Sequence, residues 1–363
     1  MSSGICYAST SEQCVEVDLN AEANSPLKKI PVYDQDGTGT CWSDAASVVL
    51  DFQRFRQDPN AKDHTDPMQL AIQARMKKFN KKDFTYGGQP EEIIESVRRE
   101  GVCSQSEIDQ RIRVLTKSSG LSSIDVYMIL EEIKNQYGER GLSQSSLDGV
   151  RETAHKAAKQ IIENKSDSCW VKEAGSIEKL ADQIGRIFDF DFFNHPLGEI
   201  YQRVFGPCLK DDSISALPPY VSARGSATLP LIDRSLKQGL PAVISTAVDT
   251  LQCTKSRLCI WISSNVPLMD VMLASSGNHA MVVTGQAKIN GHCSMLIRNS
   301  WGALWHTSGP CACEANNSQN EIEYQKICTA KKENIVQYLG CWVDKEFLED
   351  FAYSAQSFAS EKQ

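Results

Sequence analysis

The chain has 363 residues, a length that suits two domains or one two-lobed enzyme with an insertion. Its net charge of −8 and its pI near 5.4 argue against nucleic acid as a partner, because nucleic-acid-binding domains are usually basic. No apolar run approaches the ~18 residues of a membrane span, and no secretory signal is visible at the start of the chain.

The chain contains thirteen cysteines, and setting Cys41 aside leaves an even number. We expect most of these twelve to be paired, which favours a secreted, periplasmic or lysosome-like compartment and leaves the cytoplasm open. Zinc is the competing explanation, but no pair of C-x-x-C motifs occurs, and Cys311-Ala312-Cys313 alone is weak support for a metal. We therefore expect neither a metal nor a cofactor.

In chain order, residues 1–30 are polar and predict an irregular N-terminal arm. Helices are expected over 41–56, from Pro67, and from Pro90 to Glu100, where a glycine follows. The first of these should be buried along one side, because its apolar residues recur at helical spacing: Cys41, Ala45, Val48, Val49, Phe52 and Phe55.

Residues 104–228 predict a helical insertion. Amphipathic stripes run over 126–137, 147–162 and 177–187, and each is more typical of a face packed on a core than of a ligand site. Such stripes must bury their apolar faces either on one another or on the rest of the protein.

From Leu229 onward the pattern favours short strands, so that the chain as a whole predicts an α+β fold. Apolar, β-branched segments occur at Ala242–Ser245, Ala280–Thr284 and Met295–Arg298. A last strand is expected at 341–343, before a helical tail over 345–358.

Three residues of catalytic type stand at the ends of these elements. Cys41 begins a helix, whose unpaired N–H groups and dipole favour a thiolate. His279 begins one strand, and Asn299 follows another. A cysteine nucleophile needs a base for its proton and a third group that orients the base, and these residues supply both. The alternative interpretation of Cys41 is a buried structural cysteine.

Four ordered motifs surround these residues: Gln35-x5-Cys41-Trp42, Gly87-Gly88-Gln89-Pro90, Asn278-His279-Ala280 and Asn299-Ser300-Trp301-Gly302. Together they resemble the papain family of cysteine peptidases, over roughly residues 30–103 and 229–305. A weaker match at 229–248 resembles the family's entry into its second domain.

The resemblance implies two lobes with a substrate cleft between them. Residues 31–103 would form a helical left lobe, and residues 229–363 an antiparallel, β-barrel-like right lobe with a C-terminal tail. Cys41 and His279 are 238 positions apart, against about 130–150 in the family, so the 104–228 insertion between the lobes is extra.

The resemblance also implies the role of each site residue. Cys41 would be the nucleophile, held as a thiolate in an ion pair with His279, and Asn299 would orient the imidazole. The Gln35 side chain and the backbone N–H of Cys41 would form the oxyanion hole. Four residues would line the substrate pocket and two tryptophans would support the site: Gly87, Gly88, Pro90 and Ala280, with Trp42 and Trp301.

The chain departs from the family at two places. Thr38 and Thr85 stand where the family has a disulfide, which suggests that another crosslink replaces it. Asp44 lies one turn from Cys41, where its charge would oppose a thiolate.

The expected activity is hydrolysis of peptide bonds, as an endopeptidase or an exopeptidase, through a thioester acyl-enzyme. The expected partner is a peptide or protein substrate, and the expected form is a monomer. Two alternatives stay open: a papain-fold protein that binds peptides without cutting them, and a thiol acyl transferase in which an amine replaces water.

Overall fold

The computed structural model describes residues 14–33, 35, 38–61, 63–75, 87–116, 122–137, 152, 156, 197–206, 208, 212–247, 278–289, 292–300 and 341–360. Trp301, Thr85 and the predicted stripe at 177–187 lie outside the described residues, and so does the stripe at 147–162 apart from positions 152 and 156.

Helices dominate the first described part of the chain. A short strand and a 3-10 helix come first, followed by three α-helices: β1 (Val17–Asp18), the 3-10 helix Pro26–Lys29, α1 (Cys41–Gln57), α2 (Pro67–Arg75) and α3 (Pro90–Glu100). The two prolines stand at the first position of α2 and α3, where the missing N–H costs no hydrogen bond. Gly101 ends α3 with φ of 88°, a left-handed conformation that suits glycine.

In the described part of 104–228 the structure has four helices, and one of them coincides with a predicted amphipathic stripe, that at 126–137. They are α4 (Gln105–Thr116), α5 (Ser123–Tyr137), α6 (Leu197–Phe205) and α7 (Asp212–Ser215). A strand, a 3-10 helix and a further helix then lead toward the sheet: β2 (Val221–Arg224), Gly225–Ala227 and α8 (Thr228–Lys237). Because β2 pairs with a strand near the end of the chain and β1 pairs with a later strand as well, the sheet takes two of its strands from before residue 229. The division of the chain into domains stays a prediction.

The remaining described elements complete an antiparallel sheet. They are β3 (Ala242–Ala247), β4 (Asn278–Ile289), β5 (His292–Arg298), β6 (Cys341–Asp344), α9 (Lys345–Phe351) and β7 (Ala352–Ser357). The strand order is β2-β7-β3-β4-β5-β6, with β1 pairing on β4. The described residues thus form an α+β fold with an open seven-stranded antiparallel sheet.

The C-terminal segment corrects one expectation. The sequence pattern predicts a helix over 345–358, but α9 ends at Phe351 and the chain continues as β7. This strand lies between β2 and β3 and pairs with both. Its backbone groups gain partners on two sides, which an isolated stretch of Ala, Ser and Gln does not reveal.

Helix α1 is buried on every side from Cys41 to Phe55. The expectation of one buried side was therefore wrong. The helix packs against β4 and β3, and also against α2, α3 and the 3-10 helix at Pro26–Lys29. Some of its buried polar residues make hydrogen bonds: the Ser43 hydroxyl donates to the Pro67 carbonyl at 2.6 Å, and Arg54 donates to Asp51 at 2.8 Å.

Two disulfides join distant parts of the described chain. Cys14–Cys293 connects the N-terminal segment to β5, with Cα atoms 5.6 Å apart. In the Cys103–Cys208 disulfide, the first cysteine lies between α3 and α4 and the second follows α6, with Cα atoms 5.0 Å apart. It therefore links the start of the predicted helical insertion to a point near its end. The remaining cysteines other than Cys41 lie outside the described side chains.

In the ranges that the structure describes, no helix is both long enough and apolar enough to cross a membrane.

Candidate active site

Cys41 is the first residue of α1, and its sulfur faces backbone N–H groups. The Thr40 carbonyl accepts hydrogen bonds from the N–H groups of Ser43 and Asp44 at 2.7 and 3.0 Å, which starts the helix at Cys41. The N–H groups of Cys41 and Trp42 are directed at the sulfur, and so is that of Ala280 from β4. The sulfur therefore lies where the start of α1 meets the start of β4.

The surroundings nevertheless favour the neutral thiol. The pKa of Cys41 is raised to about 11, mainly by burial and in part by the charge of Asp44, against the N–H groups of Ala280, Trp42 and Cys41, which lower it. Cys41 is only 7% exposed, so loss of hydration outweighs the favourable dipoles. The predicted opposition of Asp44 to a thiolate agrees in direction with this balance.

His279 and Asn299 are hydrogen-bonded at one edge of the sheet. Strands β4 and β5 are antiparallel, with Val282 opposite Arg298, so the start of β4 lies beside the end of β5. His279 Nε2 lies 2.6 Å from Asn299 Oδ1. The Ser300 backbone N–H donates to the same Oδ1 at 2.7 Å, which identifies that atom as the oxygen and Nε2 as the donor. The hydrogen bond leaves Nδ1 of His279 as the acceptor.

Burial also favours the neutral form of the imidazole. Both His279 and Asn299 are 2% exposed. Burial lowers the pKa of His279 to about 4, although the hydrogen bond to Asn299 raises it. In the substrate-free protein, burial thus works against the thiolate–imidazolium pair that the resemblance implies, and favours a neutral thiol with a neutral imidazole.

Gln35 joins the same hydrogen-bonded group. Its backbone N–H donates to the Ser300 carbonyl at 2.8 Å, and its Oε1 accepts from the Ser300 hydroxyl at 2.6 Å. Its Nε2 donates to the Thr38 carbonyl at 2.7 Å. An amide nitrogen carries two protons, so one proton of Nε2 remains for another acceptor.

The glycine pair lies against Trp42. A Cβ atom added to Gly88 would come within 2.5–2.7 Å of the Trp42 indole, so no side chain fits at this position. Gly87 has φ of 63°, again a left-handed conformation. Pro90 begins α3 and is buried, and Ala280 is buried beside the Cys41 sulfur. Among the predicted site residues, Trp301 is the one outside the described ranges.

The sequence interpretation missed two residues. The first is Ser300, which holds Gln35 in place; its position inside the Asn-Ser-Trp-Gly motif is a signal that could have found it. The second is Tyr353, where β7 bulges: Ser245 of β3 pairs with Ser354 and Thr246 with Ala352, so Tyr353 has no partner on β3.

Tyr353 is close enough to Cys41 to respond to its charge. Burial raises the pKa of Tyr353 to about 12; a hydrogen bond with the Ser245 side chain lowers it, and a charge on Cys41 raises it. Ser245 in turn pairs with Ala280 on β4. No sequence signal points to Tyr353, because it falls in the segment where the pattern predicts a helix.

The described part of the chain holds one cluster with metal-ligating chemistry: Cys103, Glu107 and Cys208. The two cysteines form a disulfide, which removes both thiolates as ligands. None of the three is a site residue.

No family model matches the chain, and no curated protein matches it. Among solved structures, it is similar to the crystal structure of PepW from Lactobacillus rhamnosis HN001 (DR20), determined as the selenomethionine derivative. The TM-score is 0.40 at 13% identity, over 94% of this chain and 81% of that one. A likeness of this degree carries no argument about function.

Proposed function

We propose that this chain is a cysteine peptidase that acts through Cys41, His279 and Asn299. The observation that supports it most is the His279 Nε2–Asn299 Oδ1 hydrogen bond of 2.6 Å, made beside a residue, Ala280, whose N–H is directed at the Cys41 sulfur. A thiol, an imidazole and an amide that orients the imidazole are the parts that thiol acyl chemistry needs.

The proton of the Cys41 thiol passes to Nδ1 of His279 as the sulfur attacks the carbonyl carbon of a peptide. Asn299 Oδ1 stabilises the resulting imidazolium, because it accepts the Nε2 proton. The C–N bond then breaks, and His279 gives its proton to the leaving amine. The thioester on Cys41 is hydrolysed by a water molecule that His279 deprotonates.

If Cys41 and His279 are both neutral before substrate binds, the steps of the reaction stay the same, but the moment of proton transfer changes. Since burial favours a neutral thiol and a neutral imidazole, proton transfer accompanies the attack on the substrate. His279 then serves as a general base. A neutral imidazole is the form that can accept the proton, and the lowered pKa of His279 keeps it available down to weakly acidic pH.

The remaining proton of Gln35 Nε2 and the Cys41 backbone N–H are the proposed oxyanion donors. Ser300 and Thr38 hold the Gln35 amide, so the amide is already oriented when the reaction begins and no reorganisation is needed. Gly88 presents its backbone to the substrate, while Gly87, Pro90 and Ala280 line the pocket and Trp42 and Trp301 support it. Each donor of this kind contributes about 2.7–4 kcal/mol in a serine protease.

The proposal carries the finer points of fold and location with it. The helices from α1 to α3 form one lobe of a papain-like fold and the sheet forms the other, with the helical insertion at 104–228 between them. Disulfides on β5 and across the insertion favour a secreted, periplasmic or lysosome-like compartment. The substrate is a peptide or a protein.

A second candidate function is peptide binding without cleavage. The observation that favours it is the raised pKa of Cys41, which leaves the resting thiol weakly nucleophilic. Acyl transfer to an amine uses the same steps as hydrolysis, with an amine in place of water.

One experiment separates these functions. The full chain is incubated with a mixture of short peptides, with and without an added primary amine, and the products are identified by mass spectrometry. Cys41→Ala and His279→Gln serve as the matched inactive variants. Rapid acid quenching during turnover traps the acyl-enzyme, and intact-protein mass spectrometry then detects the acyl group as an added mass.

Hydrolysis products that vanish in both variants, with an adduct on Cys41, support the peptidase. Amine-capped products would make the chain a transferase. Peptide binding that is equal in the wild type and in Cys41→Ala, with no product in either, would replace the peptidase proposal with the binding protein.

A further inference from the structure

Arg75, the last residue of α2, contacts three separate elements around the glycine pair. Its Nη2 donates to the Gly87 carbonyl. Its Nε lies 3.1 Å from a carboxylate oxygen of Glu92, in the first turn of α3. Its guanidinium carbon lies 5.2 Å from the centre of the Trp42 ring, a distance typical of a cation–π contact.

The Trp42 ring is the surface on which the glycine pair rests. Trp42 is 1% exposed and follows Cys41 in α1, so its indole is fixed by the core. Gly88 lies so close to this ring that a Cβ atom would overlap it. Arg75 therefore contacts the ring that supports Gly88 and also holds the carbonyl of the preceding residue, Gly87.

We propose that Arg75 is a positioning residue that clamps the Gly87–Gly88 segment against Trp42, so that this wall of the cleft keeps a constant distance from Cys41. This inference rests on the proposed function, in which Gly88 pairs with the substrate backbone. Arg75 touches no reacting atom and acts through the position of Gly87 and Gly88.

Arginine is suited to this task in a way that lysine is not. Its planar group donates to Gly87 and places Nε near Glu92, while the guanidinium carbon lies over the indole. A lysine at the same position keeps the charge but offers one compact donor. The side chains of Arg75 and Glu92 are 19% and 30% exposed, so the ion pair alone is screened by water and contributes little; the geometry of the three contacts matters more.

The test compares Arg75→Ala, Arg75→Lys and Glu92→Gln with a control, Arg99→Ala. Arg99 is also an arginine paired with a glutamate, Glu100 at 2.8 Å, but its side chain is 48% exposed on α3. Each full-length variant is measured in three ways: KM and kcat on a cleaved peptide, the rate at which iodoacetamide alkylates Cys41, and hydrogen exchange of the amides at 87–89.

In Arg75→Ala we expect KM to rise about tenfold, because a mobile Gly87–Gly88 segment weakens peptide binding by roughly 1.4 kcal/mol. Alkylation of Cys41 should change less than twofold, since the thiol itself is unaltered. Amide exchange at 87–89 should be at least tenfold faster. In Arg75→Lys less than a third of this rise in KM should be reversed. The KM of Glu92→Gln should lie between those of Arg75→Ala and the wild type, and Arg99→Ala should match the wild type.

If Arg75→Lys and the wild type have the same KM and the same amide exchange, the positive charge alone is sufficient at this position, and the clamp is overturned. A variant that loses both Cys41 alkylation and peptide cleavage would show general damage to the site, and this result would also overturn the clamp. If Arg75→Ala does not fold, Arg75→Lys and Glu92→Gln still carry the comparison. A wild type without peptide turnover would reject the proposed function alone, because amide exchange at 87–89 reports on the clamp without any substrate.

Discussion

Gln35 and Ser300 hold each other by two hydrogen bonds, although 265 positions separate them in the chain. The Gln35 backbone N–H donates to the Ser300 carbonyl at 2.8 Å, and the Ser300 hydroxyl donates to Gln35 Oε1 at 2.6 Å. The N–H of Ser300 donates to Asn299 Oδ1, the oxygen that His279 also contacts. The proposed oxyanion donor and the residue that orients the base are thus parts of one hydrogen-bonded group.

Replacing Ser300 by alanine should lower kcat more than it changes KM. Without the hydroxyl, Gln35 Oε1 loses its donor and the amide can turn away from the oxyanion position, at a cost of about 1–3 kcal/mol in a buried site. We expect kcat to fall about tenfold or more and KM to stay within about threefold, measured on a cleaved peptide.

Ser235→Ala is the matched control for this substitution. Ser235 is also a buried serine, whose hydroxyl donates to the Leu240 carbonyl at 3.0 Å, away from the site residues. The control should lose stability without losing kcat. A similar loss of kcat in both variants would argue against a positioning role for Ser300.

Replacing Asp44 by asparagine should make Cys41 more reactive. The pKa of Cys41 is raised to about 11, mainly by burial and in part by the Asp44 carboxylate, so removing this charge lowers the pKa. Below its pKa a thiol gains tenfold in thiolate for each unit by which the pKa falls. The rate of alkylation of Cys41 by iodoacetamide at pH 7–8 should therefore rise several-fold.

The control is Asp58→Asn, at the exposed C-terminal end of the same helix. It changes the net charge equally but leaves the surroundings of the sulfur unaltered. In the wild type the alkylation rate should climb steadily through the alkaline range. A flat rate from pH 5 to 9 would instead indicate a thiolate–imidazolium pair in the resting protein.

His279 should make the folded protein less stable in weak acid. Its pKa is lowered by burial to about 4, whereas an unfolded histidine titrates near 6.5. Between these values the unfolded chain binds a proton that the folded chain does not, so the free energy of unfolding falls as the pH falls from about 6.5 to about 4. The loss from this one group amounts to roughly 3 kcal/mol and is complete below pH 4.

Urea unfolding of the wild type and of His279→Gln, followed between pH 4 and 7, measures this contribution. Glutamine does not titrate, so the difference in stability between the two proteins should change across this window and level off above it. Parallel curves for the two proteins would show that His279 is not held neutral by burial.

Gly88→Ala should be more harmful than substitution of its neighbour. The added Cβ would overlap the Trp42 indole at 2.5–2.7 Å, so the ring or the wall must move, at a cost of about 1–3 kcal/mol. Because Trp42 follows Cys41, we also expect a drop in kcat/KM on a peptide. Gly87→Asn is the control, since no atom lies within 4 Å of a Cβ there and asparagine tolerates the left-handed backbone at φ 63°.

Equal kcat/KM values for Gly88→Ala and Gly87→Asn would show that close contact with Trp42 has no bearing on the site. Urea unfolding of both variants separates the effect on stability from the effect on activity.

Local patterns are enough to predict several elements. The bounds of α3 follow from Pro90 at its start and Gly101 after its end, and the start of α1 at Cys41 follows from the apolar repeat. These signals are local: a helix closes its own hydrogen bonds, so residues four apart carry the information. The residue types of Cys41, His279 and Asn299 likewise indicate thiol chemistry, because a nucleophile, a base and an orienting amide differ in their functional groups.

Only the tertiary structure decided the rest. Tyr353 lies in a strand because β2 and β3 offer partners on both sides, and neither partner is near it in sequence. The helix-dipole argument favours a thiolate at Cys41 and the resemblance implies an imidazolium at His279, whereas burial in the fold shifts the pKa of both groups toward their neutral forms. Residue identity determined which groups could react, whereas burial, a property of the packed fold alone, determined the protonation state in which they rest.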